Sequence, residues 1–271
     1  MRGAVLGLCL TACSVAPVPT TAPEPTPTAV KVRPSPGVAS YWTRSHLYVE
    51  QQVSEQVQES RLDLGYFLTA RLERDSTDFQ ATLVLDSVTR YEGNAALATD
   101  FRRARGATFV GTLKADGGLA EFRGGDSSIQ FIREMTDELQ RFFPGLPPDG
   151  AAPGAEWVDT TQQRSVSSGV PLVIRSIAQH QVGEVESRGG EPMLPIRSHV
   201  TYDFDGAGTQ GGQAFRVDGS GHRVTAEFMS LSGRYLGLVA TDSSSFTITI
   251  SASGLQIQGR QTRSDTVSVV P

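Results

Sequence analysis

Beyond residue 38 this chain alternates apolar and polar residues, and that period of two limits its possible folds more than any other feature. Leu47, Val49 and Val53 fall on one side of an extended segment, with Glu50 and Gln52 on the other. Such alternation is typical of antiparallel strands that bury one face and expose the other. Similar runs occur at residues 64–72, 79–88, 107–113, 119–122, 157–165, 171–186, 199–204, 213–217, 224–231, 234–239, 246–250 and 255–269. The runs predict a mainly β fold with roughly a dozen strands.

Glycine-containing stretches separate several of these runs and predict tight turns. The Asp-Gly-Gly stretch at 116–118 is a hairpin signal, and Asp-Gly at 205–206 and 218–219 and Ser-Gly at 253–254 predict further turns. We therefore expect a meander, in which strands that follow each other in sequence pair in the sheet.

One segment breaks the period of two and predicts a single amphipathic helix near residues 127–143. Asp126 or Ser127 can cap its start, and Pro144 prevents it from continuing. An apolar stripe at helical spacing is formed by Ile129, Ile132, Met135, Leu139 and Phe142. We expect this stripe to pack on the sheet.

Two interpretations of the stripe stay open. Either it fills the core, or part of it lines an apolar pocket for a ligand, where a methionine adds adaptability. The residues that we take as pocket candidates are Ile132, Met135, Leu139, Phe142 and Trp157.

The first residues predict export and lipidation. Arg2 precedes an apolar run at 4–10, and Leu-Thr-Ala-Cys follows at 10–13. This arrangement resembles the bacterial lipobox, which implies a signal peptide over residues 1–12 and a lipid on Cys13, the new amino terminus. The alternative is an ordinary secretory signal with a cysteine at its cleavage site. Ser14, where inner-membrane lipoproteins carry an aspartate, favours the outer membrane and a domain in the periplasm.

A lipidated Cys13 would begin a proline- and threonine-rich segment that runs to residue 37. Its composition cannot bury enough surface to fold, and its prolines favour extended polyproline II. At about 3.1 Å per residue it can reach on the order of 70 Å, so we interpret it as a disordered tether. A proline-rich ligand for a binding module is the alternative. The β domain then spans residues 38–271.

The composition excludes several classes of function. The chain has 24 basic against 29 acidic residues, and an acidic chain gains little from counterion release, so we expect no nucleic-acid partner. The basic cluster Arg102, Arg103 and Arg105 is predicted to lie in a solvated loop, and a phosphate or lipid-headgroup site is the alternative. Cys9 and Cys13 are the two cysteines of the sequence, so the body has no disulfide, thiolate zinc site or cysteine nucleophile.

The organisation of residues 40–270 resembles that of uncharacterised bacterial lipoproteins of the LolA/LolB-like half-barrel type. The local match consists of Leu-Pro at 146–147 and Gly-Ala-Glu-Trp at 154–157. The resemblance implies a curved antiparallel sheet, as a half-barrel or open barrel, that wraps a helix and holds acyl chains in an apolar cavity. It assigns no ligand residue by motif.

Motifs for chemistry are weak, and we expect no cofactor and no metal. The G-x-G-x-x-G at 206–211 is followed by a strand instead of a helix, which favours a flexible hairpin over a dinucleotide site. Asp203 and Asp205 resemble the start of a calcium loop, but an EF-hand glutamate is absent and a turn is favoured. The four histidines are scattered singly, and no G-x-S-x-G elbow occurs.

Three classes of function therefore remain. The first is a non-catalytic envelope lipoprotein that binds a lipid or other apolar ligand between sheet and helix. The second is a structural lipoprotein whose sheet surface or edge docks an envelope partner. The third is a hydrolase whose site is assembled from distant residues. We rank the first slightly above the second.

Overall fold

The computed structural model describes residues 31–53, 55–92, 95–167, 170–188, 190–210 and 212–270. Cys13, the leader and most of the predicted tether lie outside these residues. Within the described residues the protein has twelve strands and two helices: β1 (Gly37–Val53), β2 (Gln56–Asp75), β3 (Asp78–Glu92), α1 (Ala95–Ala104), β4 (Thr108–Leu113), β5 (Leu119–Gly124), α2 (Gln130–Leu139), β6 (Glu156–Ser167), β7 (Val170–Val182), β8 (Glu186–Arg188), β9 (Glu191–Gln210), β10 (Gln213–Ser230), β11 (Tyr235–Ile250) and β12 (Leu255–Val270).

The strands form one antiparallel sheet in the order β5-β4-β3-β2-β1-β12-β11-β10-β9-β7-β6, with β8 paired to β9. Most neighbours in the sheet are also neighbours in sequence, as the predicted meander requires. The pairing of β1 with β12 joins the first and last strands at the centre of the sheet. The mainly β, open-sheet prediction is therefore confirmed.

The sheet curves around helix α2. Strands β5 and β6 are the two edges of the sheet, and α2 contacts both of them. A flat sheet of this width cannot bring its two edges to one helix, so the sheet has the shape of an open barrel whose gap is bridged by α2. We call the face against which α2 packs the inner face, and the opposite one the outer face.

The predicted helix is confirmed but is shorter than residues 127–143. Helix α2 ends at Leu139, and Ile129 occupies the N-cap position without a side-chain hydrogen bond. Asp126 accepts the backbone N–H of Ser128 instead, within the turn that leads into the helix. Phe142 and Phe143 lie beyond the last helical turn and still enter the core.

Helix α1 is a correction to the prediction of a loop around Arg102 and Arg103. These arginines lie in its last turn, where basic side chains interact favourably with the helix dipole, and Arg105 follows it. The helix buries Phe101 and Ala104, and the Phe101 ring meets Phe131 of α2 edge-on at 4.5 Å. Helix α1 has only ten residues, and its few buried positions do not produce a clear helical period in the sequence.

Strands β9 and β10 correct the predicted turns at 205–206 and 218–219. Both stretches are paired inside long strands, with Asp205 opposite Asp218 and Val217 opposite Gly206. The Asp203 and Asp205 carboxylates lie on the outer face and both pair with Arg175, at 3.2 and 2.7 Å. The runs at 213–217 and 224–231 are thus one strand, as are those at 234–239 and 246–250.

The residues before β1 pack on the body. Val32 is 1% exposed, and its backbone exchanges hydrogen bonds of 2.7 and 2.9 Å with Ala151. Ser35 donates its N–H to the Gly233 carbonyl at 3.1 Å. Residues 31–36, placed in the tether by the sequence, therefore run as a strap across the base of the domain.

Candidate functional site

The inner face divides into three bands along the strands. Nearest the strap, the helices cover an apolar core. Next comes the polar belt, which we define as Ser45, Ser198, Arg223, Thr225, Asp242, Arg263 and Asp265. Beyond it lies the open segment, defined as Leu172, Ile174, Phe204, Phe215, Val217, Phe246, Ile248, Ile250 and Ile257.

Four of the five predicted pocket residues lie in the core. Ile132, Met135 and Leu139 are each 1% exposed, and Phe142 is 5% exposed. The Phe142 ring packs edge-on against Tyr41 at 5.1 Å, and against Phe143 and Tyr235 as well. These side chains fill the space under the sheet, so they hold α2 in place.

Trp157, the fifth candidate, lies apart from the stripe on edge strand β6. Its ring stacks on that of His180 at 4.6 Å, and its indole N–H donates to Asp159 at 3.2 Å. Burial lowers the pKa of His180, against the opposing effect of the Asp159 charge. The pair covers one border of the core.

The polar belt is tied to α2 through Arg263. This guanidinium donates to Asp265 at 2.7 Å and to Ser45 at 3.0 Å, and it lies 3.0 Å from Glu138 of α2. Glu138 also accepts the Tyr66 hydroxyl at 3.3 Å. The Glu138 charge is the largest of the causes that raise the pKa of Arg263 above its usual range. Charged groups here are paired because half-buried charges need partners.

Arg223, Asp242 and Arg263 face the interior side by side on β10, β11 and β12. Arg223 lies 3.3 Å from Asp265, and Asp242 accepts the Tyr202 hydroxyl at 2.7 Å. The belt therefore places two guanidinium groups at the junction between the filled core and the open segment.

In the core beside the belt, Glu227 is a half-buried carboxyl on β10, flanked across the ladder by Ile196 and Leu238. Burial raises the pKa of Glu227 to about 7, and the charge of Arg223 opposes that rise. The neighbouring Tyr235 hydroxyl is buried and has no hydrogen-bond partner among the described residues. This part of the interior thus holds a carboxyl that titrates near neutral pH.

Aromatic rings lie over glycines in the open segment. In one cross-strand row, Phe204, Gly219, Phe246 and Gly259 alternate on β9, β10, β11 and β12. A Cβ built on Gly219 would lie 2.5 Å from Cζ of Phe204, and one on Gly259 would lie 2.3 Å from Cζ of Phe246. Real Cβ atoms do not come this close, so the glycines let the rings lie flat on the sheet.

The next row of the open segment is aliphatic. Leu172, Val217, Ile248 and Ile257 occupy neighbouring inner positions from β7 to β12, with Gly206 between the first two. All four are partly exposed. Within each of these strands, the residues that alternate with the inner positions of the open segment lie on the outer face. They are mostly Ser, Thr, Asp, Arg and Gln.

No predicted site residue belongs to the open segment. The runs at 213–217 and 246–250 were recognised as strands, but the glycines between them suggested turns. The positions of the glycines in the alternating pattern could have indicated this surface. Gly219 and Gly221 occupy the inward positions that continue the series Phe215 and Val217. Glycines at inward positions opposite aromatic residues indicate a flat apolar surface.

Depressions elsewhere on the described surface are of other kinds. A cavity of about 300 Å³ lies under the strap, lined in part by Tyr41, Leu72, Phe143 and Tyr235. Two more open depressions are lined mainly by residues of the outer face. One of them reaches Phe204, Gly219, Phe246 and Gly259, and the other contains the His46–Asp63 ion pair. None of the five predicted pocket residues lines any of these three.

The described residues contain no group of three or more His, Cys, Asp or Glu that can hold a metal ion. No helix among them is long and apolar enough to cross a membrane. No protein-family model matches the chain, and no curated protein matches it significantly.

Proposed function

We propose that this protein is a non-catalytic cell-envelope lipoprotein, anchored through Cys13, that binds the apolar part of a lipid on the open segment. The observation that carries the proposal is the apolar inner surface of the open segment, on β7 and β9 to β12, opposite mostly polar outer residues of the same segment. A sheet face that meets water is normally polar.

The open segment presents nine apolar side chains on one face, and each of them is partly exposed. Removing such surface from water stabilises a complex by roughly 25 cal/mol per Å², and contiguous apolar patches usually mark binding sites. Among the described residues, α1 and α2 contact β3, β5 and β6, and the open segment stays partly exposed. An acyl chain supplies a matching flexible apolar partner.

This proposal moves the ligand away from the helix stripe. Met135 and Leu139 have no exposed surface to offer, whereas Phe246 and Ile248 are partly exposed. In this view the helix keeps the sheet curved, and the curved sheet presents the open segment to the lipid.

A matched pair of substitutions on β11 tests the proposal. Ile248 belongs to the open segment, and its neighbour Thr247 lies on the outer face. The full chain carrying Cys13→Ser is titrated with oleyl alcohol and examined by native mass spectrometry. We expect Ile248→Asn to weaken binding about tenfold and Thr247→Asn to leave it unchanged. Absence of binding, or an equal effect of both variants, contradicts the proposal.

A second candidate is docking of an envelope partner along β6. This twelve-residue strand pairs with β7 on one side, and α2 packs against part of the other side. The remaining unpaired backbone is a template for another strand. Val158 of β6 and Ile177 of β7 are 63% and 50% exposed on the outer face. Cross-linking in intact cells from a photoreactive residue at 158, with one at 241 as the control, tests this candidate. A specific adduct at 158 supports it.

A further inference from the structure

The guanidinium groups that border the open segment are unequally paired. Arg263 has three partners, among them Asp265 at 2.7 Å and Glu138 at 3.0 Å. Arg223 has only a 3.3 Å contact with Asp265 and a 3.4 Å contact between its Nε and Thr225. A guanidinium carries five N–H donors, so most donors of Arg223 remain available.

Arg141 is the third guanidinium of this region. It lies two residues beyond α2, and its backbone N–H donates to the Glu138 carbonyl at 3.1 Å. Its side chain is exposed and makes no hydrogen bond or ion pair within the described residues. Displacement of water by surrounding protein atoms, and then the charge of Arg223, lower the pKa of Arg141. Contacts connect the two cations: Arg141 is hydrogen-bonded through its backbone to Glu138, Glu138 pairs with Arg263, and Arg263 and Arg223 both contact Asp265. Two cations with spare donors thus belong to one cluster.

The carboxylates nearby are partly engaged, and among them Glu138 accepts from Tyr66 and pairs with Arg263. Asp265 accepts from Ser45, Arg263 and Arg223, and Asp242 accepts from Tyr202. The region therefore has more free donors than free acceptors, although its formal charges nearly balance. A group that brings oxygen acceptors and negative charge completes this arrangement, because charge-assisted hydrogen bonds to guanidinium are strong and directional.

We propose that Arg141 and Arg223 bind the anionic head of a long-chain amphiphile, a carboxylate or a phosphate, whose tail lies along the open segment. The inference rests on the proposed function and adds the class of the head group. Six residues separate Arg223 from Val217 on β10, or about 20 Å of strand. That length suits an acyl chain, since one chain spans about half of the roughly 30 Å hydrocarbon core of a bilayer.

Three ligands with the same tail test the head group. Oleate, oleyl phosphate and oleyl alcohol are titrated into the full chain carrying Cys13→Ser, with Arg141→Gln or Arg223→Gln added. Arg216→Gln is the control, because Arg216 is an exposed arginine of the same strand on the outer face. We expect both anions to bind about tenfold more tightly than the alcohol. Each test variant removes that preference and leaves alcohol binding unchanged, and the tighter of the two anions identifies the head group.

Thermal unfolding of each variant shows that the fold is retained; Arg141→Gln is the safer of the two because the Arg141 side chain has no structural partner within the described residues. Equal affinity for all three ligands, or a preference for anions that survives both variants, overturns the head-group assignment and leaves lipid binding intact. If none of the three ligands binds, the proposed function fails as well.

Discussion

Glu138 on α2 and Arg263 on β12 form an ion pair of 3.0 Å that links the helix to the centre of the sheet. The same guanidinium holds Asp265, which is almost completely buried. One side chain therefore joins the helix to the charged part of the interior.

Substitution of Arg263 tests this link. Arg263→Gln leaves Asp265 with a weaker set of donors, and unpairing a buried charge is costly, so we expect the free energy of unfolding to fall by about 2 kcal/mol or more. Arg260→Gln, an exposed position of the same strand, serves as the control. Urea denaturation measures both variants. Equal stability of the two would show that the ion pair contributes little.

Shortening Leu139 tests whether the helix stripe is core. Leu139→Ala removes buried methyl groups from a side chain that is 1% exposed, so we expect a loss of about 2–5 kcal/mol. Glu134→Ala on the exposed face of the same helix is the control. If Leu139→Ala leaves stability unchanged and instead weakens lipid binding, the stripe lines a pocket.

The carboxyl of Glu227 predicts a stability that depends on pH. Its pKa is about 7 in the folded chain and 4.5 as the ordinary value. Between these values the unfolded chain releases the proton and the folded chain retains it, so the free energy of unfolding falls as the pH rises, by on the order of 3 kcal/mol at most. Below pH 4.5 and well above pH 7 this contribution is constant.

Unfolding by urea at pH 5 and pH 8 measures this dependence. Glu227→Gln flattens it, because the amide does not titrate, whereas Glu184→Gln at an exposed position leaves it in place. A pH profile that Glu227→Gln does not change would assign the dependence to other groups.

Gly259 tests the contact between ring and sheet. Gly259→Ala places a Cβ where the Phe246 ring lies, and the ring can turn away from the partly exposed surface. We therefore expect a modest loss of stability, about 1 kcal/mol, together with a clear change in lipid affinity. Gly145→Ala, at an exposed position with open space around it and without a left-handed φ, separates this effect from the general cost of a substituted glycine. Unchanged affinity in Gly259→Ala would place the ligand elsewhere.

Cys13→Ser tests the anchor, which lies outside the described residues. Without the thiol no thioether-linked lipid forms, so we expect the variant to leave the membrane fraction. Cys9→Ser, inside the predicted leader, should stay membrane-bound. Fractionation followed by intact-mass measurement decides between the two results. Retention of Cys13→Ser in the membrane would contradict the lipobox interpretation.

The strands and helix α2 were predictable because their patterns are long and regular. The helical spacing of Ile132, Met135 and Leu139 was sufficient to predict α2. The alternation of apolar and polar residues was sufficient to predict most strands. The length of β9 and β10 was not predictable in the same way. Gly206 and Gly219 follow aspartates, and a single sequence does not distinguish a glycine that turns the chain from one that lies under a ring.

The polar belt and the open segment were not predictable from the sequence for a related reason. Arg223 and Arg263 are forty residues apart and become neighbours only through the register of β10, β11 and β12. Arg141 joins them through the position of α2. Sequence patterns describe one element at a time, whereas these groups come together through pairing in the sheet.

Because α2 touches both edge strands, the barrel is completed by a seam of side chains instead of a ladder of backbone hydrogen bonds. A ladder fixes the distance between strands at about 4.8 Å and thereby fixes the girth of a barrel. A seam of packed side chains has no such fixed spacing. The girth of the sheet can therefore change through small displacements along this seam, while every strand keeps its neighbours.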